Sequence, residues 1–447
     1  MNASIGFKEV KAGPDMDTGP GAHRGLHEIL LYLARVHGPR YVVRYIKSGR
    51  ATYFCGLPAD VKAVLALGHR DTRNLLHPLL GNGLFTAETS SEHDRVKRIV
   101  SSILGRSRIG DFVPVLKDTI RAGVQKHFHS GGNFASDAMF HVAHSLSVSA
   151  NCAFVFGADV PVSVVDAVSS VLSAVRSLIT KTDDKTDNTV ADSDPMLMLQ
   201  KAKQDIRLHM KEMVDAPSAS RVTPTPLLHD LSDRMLAEGY SEEDVFCELL
   251  SLLGSGLETT GATIFWAIYE LTKNTEALRN LMGWLIARST SLGALEERDT
   301  PLDHVISETL RLYPSGWVMY RRAPRDIVLD DGGLIPKSAT ACVSPFVTHR
   351  LFADWESPED FAPSRFLSTG CDGRTIAQQY RFFPFGGGVH RCVGARLAMI
   401  SISIILAELL GKYAISCENS DGIYSIGGLA LEPKGDADFK VVRYGSV

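Results

Sequence analysis

The sequence predicts a mostly helical protein with a small β portion, and three observations carry that reading. Between Phe112 and Lys273 apolar residues recur every three or four positions in long runs, whereas strand-like pieces are short and lie near the N-terminus and after Tyr313. From Val245 to Lys273 the pattern is unbroken, roughly 45 Å of helix at 1.5 Å per residue, enough to cross the whole molecule. No linker rich in proline, glycine or serine cuts the 447 residues into independent halves, so residues 1–447 read as one domain.

Taken in order, Leu26 to Val36 places Leu26, Ile29, Leu30, Leu33 and Ala34 on one face of an amphipathic helix. Tyr41 to Ile46 and Ala51 to Cys55, split by Ser48-Gly49-Arg50, form a hairpin. Pro58 and Asp60 open a helix through Leu67. Between His69 and Ser91 the chain is loop-like yet apolar, with Leu75, Leu76, Leu79, Leu80, Leu84 and Phe85. Such side chains in a loop cost solvation unless they cover something, so this segment is expected to wall a pocket. A basic helix follows from Glu92 to about Leu104, then helices at Phe112 to Phe128, Ala135 to Phe156, Val164 to Ile179 and Met196 to Val214. Thr182 to Pro195 and Pro217 to Pro226 are polar surface loops. Ser241 is placed to cap the long helix, with Asp244 at the third helical position. Beyond it come a helix from Pro301 to Tyr313 and strand-like pieces at Ile327 to Leu329 and Thr340 to Val343.

A formal charge of -4 argues against a nucleic-acid partner, which would leave a basic excess. Seven cysteines, an odd number without CxxC spacing, point to a reducing compartment and not to a disulfide frame or zinc site. Met1 to Gly25 has no apolar run for a signal peptide or membrane anchor, so a cytoplasmic protein is expected.

The stretch that organises the chain is Phe385-Gly386-Gly387-Gly388-Val389-His390-Arg391-Cys392-Val393-Gly394. Three glycines before a cysteine and a fourth after it describe a backbone that turns tightly and approaches something closely. A thiolate in a low-dielectric site needs metal bonding and amide donors, and a glycine-rich loop leaves N–H groups free to point at the sulfur. An iron fits that need; a buried cysteine beside a flexible loop is the alternative. The apolar helix that follows would add its dipole in favour of an anion. Within the long helix, Gly254, Gly256 and Gly261 cost about 1 kcal/mol each relative to alanine. Close approach of a flat ligand is the expected reason, with helix packing the alternative.

The cysteine stretch resembles the F-x-x-G-x-H/R-x-C-x-G signature of cytochrome P450, and the likeness runs over nearly all the chain. The resemblance implies a triangular helical prism with minor sheets at one side, and haem b ligated by Cys392 in a loop shaped by Phe385, Gly388 and Gly394. It implies that Glu258 and Thr259 are the acid-alcohol pair, Thr259 steadying the oxygen under activation and Glu258 on the proton route. Ser255 departs from the usual Ala or Gly. His93, Lys97, Arg321 and His390 would neutralise the two haem propionates, with Arg98 sharing the task, because Lys97 gives up the bidentate geometry of the usual arginine; a solvated basic face is the alternative for that helix. Glu308 and Arg311, with Arg365 in Phe361-Ala362-Pro363-Ser364-Arg365-Phe366, would brace the cysteine loop.

The same likeness maps pocket walls. Leu76, Leu79, Leu84 and Phe85 would line one side, and Leu252 and Ser255 the ceiling. Gly316, Trp317, Val318 and Met319 would form another side, with Ile426 to Leu429 near the end, although Trp317 and Met319 could equally be core. The implied enzyme is a monooxygenase for a mainly apolar substrate, using O2 and two electrons from a separate ferredoxin or flavodoxin with its reductase, in secondary metabolism. Arg391 and Arg396 would face that donor. An isomerase or peroxide-driven enzyme is opposed by Glu258-Thr259, and a haem-free activating partner by Cys392.

Overall fold

The computed structural model describes residues 6–12, 25–45, 50–68, 77–84, 90–183, 194–216, 224–287, 299–351, 355–367 and 380–445. Helices dominate, as the periodicity requires. The longest, Glu242–Lys273, has 32 residues and the expected capping box, in which the Ser241 hydroxyl accepts from the Asp244 amide and the Asp244 carboxylate accepts from the Ser241 amide. It lies at the centre of the helical core with Phe246, Leu249, Leu250, Phe265 and Trp266 buried. Ser136–Phe156 packs closely along it, with Val162–Asp183 and Pro195–Asp215 as an adjoining pair.

The helix expected from Phe112 begins earlier, at Arg106, and runs through Pro114 to Phe128. Proline forfeits one ladder hydrogen bond, but Ile109, Phe112, Val113 and Leu116 are all buried, so the packed face holds the helix across it. Leu227–Ala237 and Thr275–Ala287 are helices beyond those expected.

Among the described residues the β portion is a five-stranded sheet, two hairpins and a three-stranded sheet. The large sheet orders Lys8–Ala12, Arg40–Tyr45, Ala51–Cys55, Thr340–Val343 and Met319–Arg322. The expected hairpin pairs antiparallel with Val42 opposite Tyr53, and Tyr53 then faces Ala341 in parallel register. Lys8–Ala12, which the polar N-terminal composition hid, adds in parallel to Arg40–Tyr45. Alternation buries both faces: Val42, Tyr53 and Cys55 pack with Val61, Val64 and Leu65, while Tyr41, Val43 and Phe54 pack with Leu30, Leu31 and Phe346. Met319–Arg322 is the last strand in that order, and its Met319 lies against the glycine loop at Gly386.

Among the described residues one helix, Ser136–Phe156, is long and apolar enough to cross a membrane, and 72% of its apolar window is buried inside the protein. The expected pocket residues Leu75, Leu76 and Phe85 lie outside the described residues.

Candidate functional site

The glycine loop closes on itself before the helix Ala395–Leu410 begins. The Gly386 amide donates to the Phe383 carbonyl at 2.9 Å, and the Cys392 amide donates to the Phe385 carbonyl at 3.0 Å. Gly388 has φ +61°, and a Cβ there would lie 2.1 Å from the Leu65 carbonyl oxygen, so the loop is pressed backbone to backbone against the end of Pro58–Leu65. Cys392 opens to solvent, yet the protein packed around that opening pushes its thiol pKa up; the amides of Gly394 and Ala395 and the charges of Arg391 and Lys97 pull it back toward the thiolate. Those amides are the donors that a soft anionic ligand requires.

Behind the loop sits a buried ion-pair network. Glu308 and Arg311 are both fully buried, with Arg311 donating from Nε to Oε2 at 2.7 Å and from Nη2 to Oε1 at 2.9 Å. Arg365 Nε adds 3.1 Å to Glu308 Oε1, and the Ala362 amide adds 2.9 Å. Arg311 Nη1 donates to the carbonyls of His349 and Pro358, so no proton of this buried cation is wasted. His349 carries the connection to the cysteine loop. Its Nδ1 donates to the Arg311 carbonyl and its Nε2 accepts from the Phe383 amide at 3.0 Å, two residues before Phe385. Burial first, and the Arg311 charge second, hold this imidazole well below its usual pKa, so it stays the neutral acceptor that Phe383 needs.

On the other side of the loop three of the expected propionate partners meet. Lys97 donates to the Val389 carbonyl. His390 Nδ1 lies 2.9 Å from His93 Nε2, and its Nε2 lies 2.9 Å from the Gly68 carbonyl. A carbonyl only accepts, so His390 Nε2 donates there and Nδ1 is left to accept from His93. Arg321 is 4% exposed and donates to the Tyr320 carbonyl. Arg98, expected to share this work, is exposed and bonds the Asp94 carbonyl of its own helix. A sulfur backed by two amides, with Lys97 near it and His93 and His390 joined beside the same loop, fits a metal centre that carries peripheral carboxylates.

The central helix presents Thr259 and Glu258 in different ways. The Thr259 hydroxyl donates to the Ser255 carbonyl at 3.1 Å, and its own carbonyl accepts from Ser315 and Thr263 at 2.8 Å each. Ser255 back-bonds to the Leu252 carbonyl at 3.2 Å. Glu258, 3% exposed, is clasped by Arg176 of Val162–Asp183: Nη2 lies 2.7 Å from Oε1 and 2.6 Å from Oε2. His144 Nε2 is 3.2 Å from Oε2, and Glu432 Oε1 stands 3.7 Å from Arg176 Nε. Burial lowers the His144 pKa to about 4, with Glu258 opposing, so the imidazole is neutral at pH 7. Nothing local in the sequence marks Arg176, His144 or Glu432, which reach Glu258 from elements far away along the chain.

Two expectations need correction. Gly256 and Gly261 serve helix packing and not a flat ligand: a Cβ at Gly256 would meet Asn151 at 2.6 Å, and one at Gly261 would meet His144 atoms at 3.0 Å, both on Ser136–Phe156. Gly254 meets only Leu80, at 3.4 Å. Trp317 belongs to the core, 8% exposed, packed with Leu30, Leu31 and Phe346 and donating to the Gly428 carbonyl at 3.1 Å. Met319 turns to the cysteine loop, 3.4 Å from a Cβ position at Gly386. Val318, Leu79, Leu252 and Ser255 are partly exposed, the first three packed at the margin of the core.

The sequence model of the cytochrome P450 family matches residues 17–436. Among curated proteins, cytochrome P450 139 of Mycobacterium tuberculosis H37Rv is 34% identical over 46% of this chain and 50% of its own. The carotene epsilon-monooxygenase of Arabidopsis thaliana is 27% identical over 53% of this chain and 47% of its own. The chain thus matches about half the length of these relatives. In fold it is similar to CYP175A1 from Thermus thermophilus, with TM-score 0.72 and 19% identity over 98% of this chain and 100% of that one. A 6-coordinated cytochrome P450 from a second strain of Thermus thermophilus gives TM-score 0.69 at 19% identity, over 93% of this chain and 98% of that one. The chain belongs to the cytochrome P450 family, whose members are haem-thiolate proteins built on protoporphyrin IX.

Proposed function

We propose that this protein is a haem-thiolate monooxygenase that uses O2 and two electrons from a separate ferredoxin or flavodoxin, with its reductase, to oxidise a mainly apolar organic substrate. The observation that carries this is Cys392, whose sulfur takes the Gly394 and Ala395 amides on one side of a molecule whose central helix bears Glu258 and Thr259. Bound haem supplies the reducible iron at which O2 is activated. Cys392 would be its ligand, the two amides would lower the cost of negative charge on sulfur, and His93, Lys97, Arg321 and His390 would hold the propionates. Arg391, exposed beside Cys392, gives an acidic electron donor a positive spot to approach.

Proton supply rests on Glu258. Its two oxygens are engaged by Arg176, so the carboxylate is held until that clasp loosens; His144, neutral at 3.2 Å, is then the adjacent group able to pass a proton. Thr259 sits next along the helix with a hydroxyl bound only to its own helix, free to rotate toward the pocket. The apolar walls and a relative named for carotene oxidation support an apolar substrate, and we place the reaction in the secondary metabolism of the cytoplasm.

The reduced carbon monoxide complex is expected to show the red-shifted Soret band of thiolate ligation, and Cys392→Ala to abolish it. A band that survives this substitution overturns the assignment. Thr259→Ala is expected to keep haem and substrate binding while diverting electrons into hydrogen peroxide. The check is the ratio of NAD(P)H consumed to product formed in a reconstituted system; an unchanged ratio removes Thr259 from the relay.

A further inference from the structure

Arg176 stands between two carboxylates, and the scheme above uses only one of them. Its Nε lies 3.1 Å from Glu258 Oε1 and 3.7 Å from Glu432 Oε1, so one N–H is bonded to the first acid and just beyond bonding distance of the second. Glu432 comes from the hairpin strand Leu431–Lys434 and is seated against its own turn: a Cβ at Gly428 would lie 3.1 Å from Glu432 Oε1, so a bare residue there leaves the carboxylate its room. The guanidinium also lies over the Phe140 ring, with Cζ 5.8 Å from its centre, a flat face on which it can turn.

Charge decides what this trio can hold. The groups facing it are Arg176 of Val162–Asp183, Glu258 of the central helix, His144 of Ser136–Phe156, and Lys434 on the same strand as Glu432. His144 is neutral, and the exposed Lys434 acts on Glu432 least of these charges. One close cation therefore serves two acids. Burial pushes the Glu432 pKa up, the Arg176 charge pulls it back, and Glu258 adds to the rise. While Arg176 stays on Glu258, Glu432 is thus an acid that keeps its proton above the ordinary glutamate range. Water reaches it more easily too: side-chain exposure is 18% for Glu432 and 32% for Arg176, against 4% for Glu258.

We propose that Glu432 is the outer station of the proton route and the second seat of Arg176. When the guanidinium turns from Glu258 to Glu432, Glu432 gives up a proton and Glu258 gains it. Arg176 keeps its own proton, and the trio carries the same net charge in both arrangements, so neither strands a buried charge. This rests on the monooxygenase reading and adds how its proton supply is gated. Glu432 acts only through Arg176 and is a positioning residue.

The first test reads the exchange in resting haem-loaded enzyme. The midpoint of Glu432 is taken from the infrared C=O stretch of its protonated carboxyl, as the difference between a protein and its Glu432→Gln variant across a pH titration. In the wild type that midpoint is expected above the ordinary glutamate range. In Glu258→Gln, where Arg176 is released to turn, it should fall below that range, and adding Arg176→Ala should raise it again. The second test supplies a ferredoxin, its reductase and NADPH without organic substrate, so that each O2 takes two electrons and two protons to become hydrogen peroxide. Glu432→Gln should slow NADPH oxidation about tenfold and enlarge its D2O isotope effect, whereas Glu432→Asp should recover both. A Glu432 midpoint that stays above the ordinary range in Glu258→Gln, or a rate and isotope effect unaltered in Glu432→Gln, overturns the proposal. The infrared midpoints hold whatever the iron does, so a wild type without the thiolate band would fail the monooxygenase reading and leave the Arg176 exchange standing.

Discussion

Arg311→Ala is expected to lose haem and soluble yield together, because it leaves the fully buried Glu308 carboxylate without its main partner at a cost of about 3 to 5 kcal/mol. Glu308→Ala should cost a similar amount by stranding Arg311. The two are not equivalent in what they release. Without the Arg311 side chain, the carbonyls of His349 and Pro358 lose their guanidinium donor and that of Asp360 keeps only the long bond from Arg365, while the His349 imidazole keeps its bond to the backbone carbonyl of residue 311. Arg365→Ala should be milder, since Arg365 keeps 14% exposure and serves the edge of the network. Arg311→Lys should not rescue, because one ammonium cannot reproduce the fork that meets both oxygens of Glu308. Haem absorbance per protein and melting temperature measure all four; wild-type values in Arg311→Ala would remove the network from the support of the cysteine loop.

Gly388→Ala should produce the next largest loss. The residue is left-handed, which costs a residue with a Cβ about 1–2 kcal/mol. The new methyl would also stand 2.1 Å from the Leu65 carbonyl oxygen and 2.8 Å from its carbon, both backbone atoms with no rotamer to escape into. Relief by shifting the loop adds about 1–3 kcal/mol and moves Cys392, four residues on. Haem occupancy should therefore fall more than the melting temperature alone would suggest. Gly110→Ala is the matched control: it lies inside Arg106–Phe128 with nothing within 4 Å of a Cβ, and it should stabilise by about 0.5–1 kcal/mol without touching the haem spectrum. Equal haem loss in both variants would show that the crowding at Leu65 does not matter.

Local signals made most of the helical frame legible. Ser241 and Asp244 announced the start of the central helix, and the spacing of apolar residues carried it to Lys273. Thr340–Val343 was legible because its side chains suit a strand and turns flank it. Lys8–Ala12 was not, since a strand with only Val10 buried is held by its ladder to Arg40–Tyr45 and not by its own composition. The cysteine loop and the Glu308–Arg311 pair were legible because their spacing is short and fixed. Arg176, His144, Glu432 and His349 were not. Each acts through a partner distant in sequence or through burial, and neither leaves a local pattern. The glycines of the central helix were misread for the same reason, as their partners Asn151 and His144 lie on another helix.

Those glycines have a mechanical consequence. Gly256 and Gly261 bracket Glu258 and Thr259, and each lies so close to Ser136–Phe156 that an added side chain would have to push Asn151 or His144 aside. The central helix is thus a beam clamped at two points on its outer face, with its working residues on the span between the clamps. A beam held this way does not bow to suit a larger guest. The segment 77–84 is seated just as closely, with Gly83 against Ser251 and the Cys247 carbonyl, so accommodation of different ligands falls to looser parts such as the turn 428–430 between the hairpin strands. Substitutions that retune ligand size should accordingly succeed at that turn. Introducing a side chain at Gly256 or Gly261 should instead shift the beam as a whole and carry Thr259 with it.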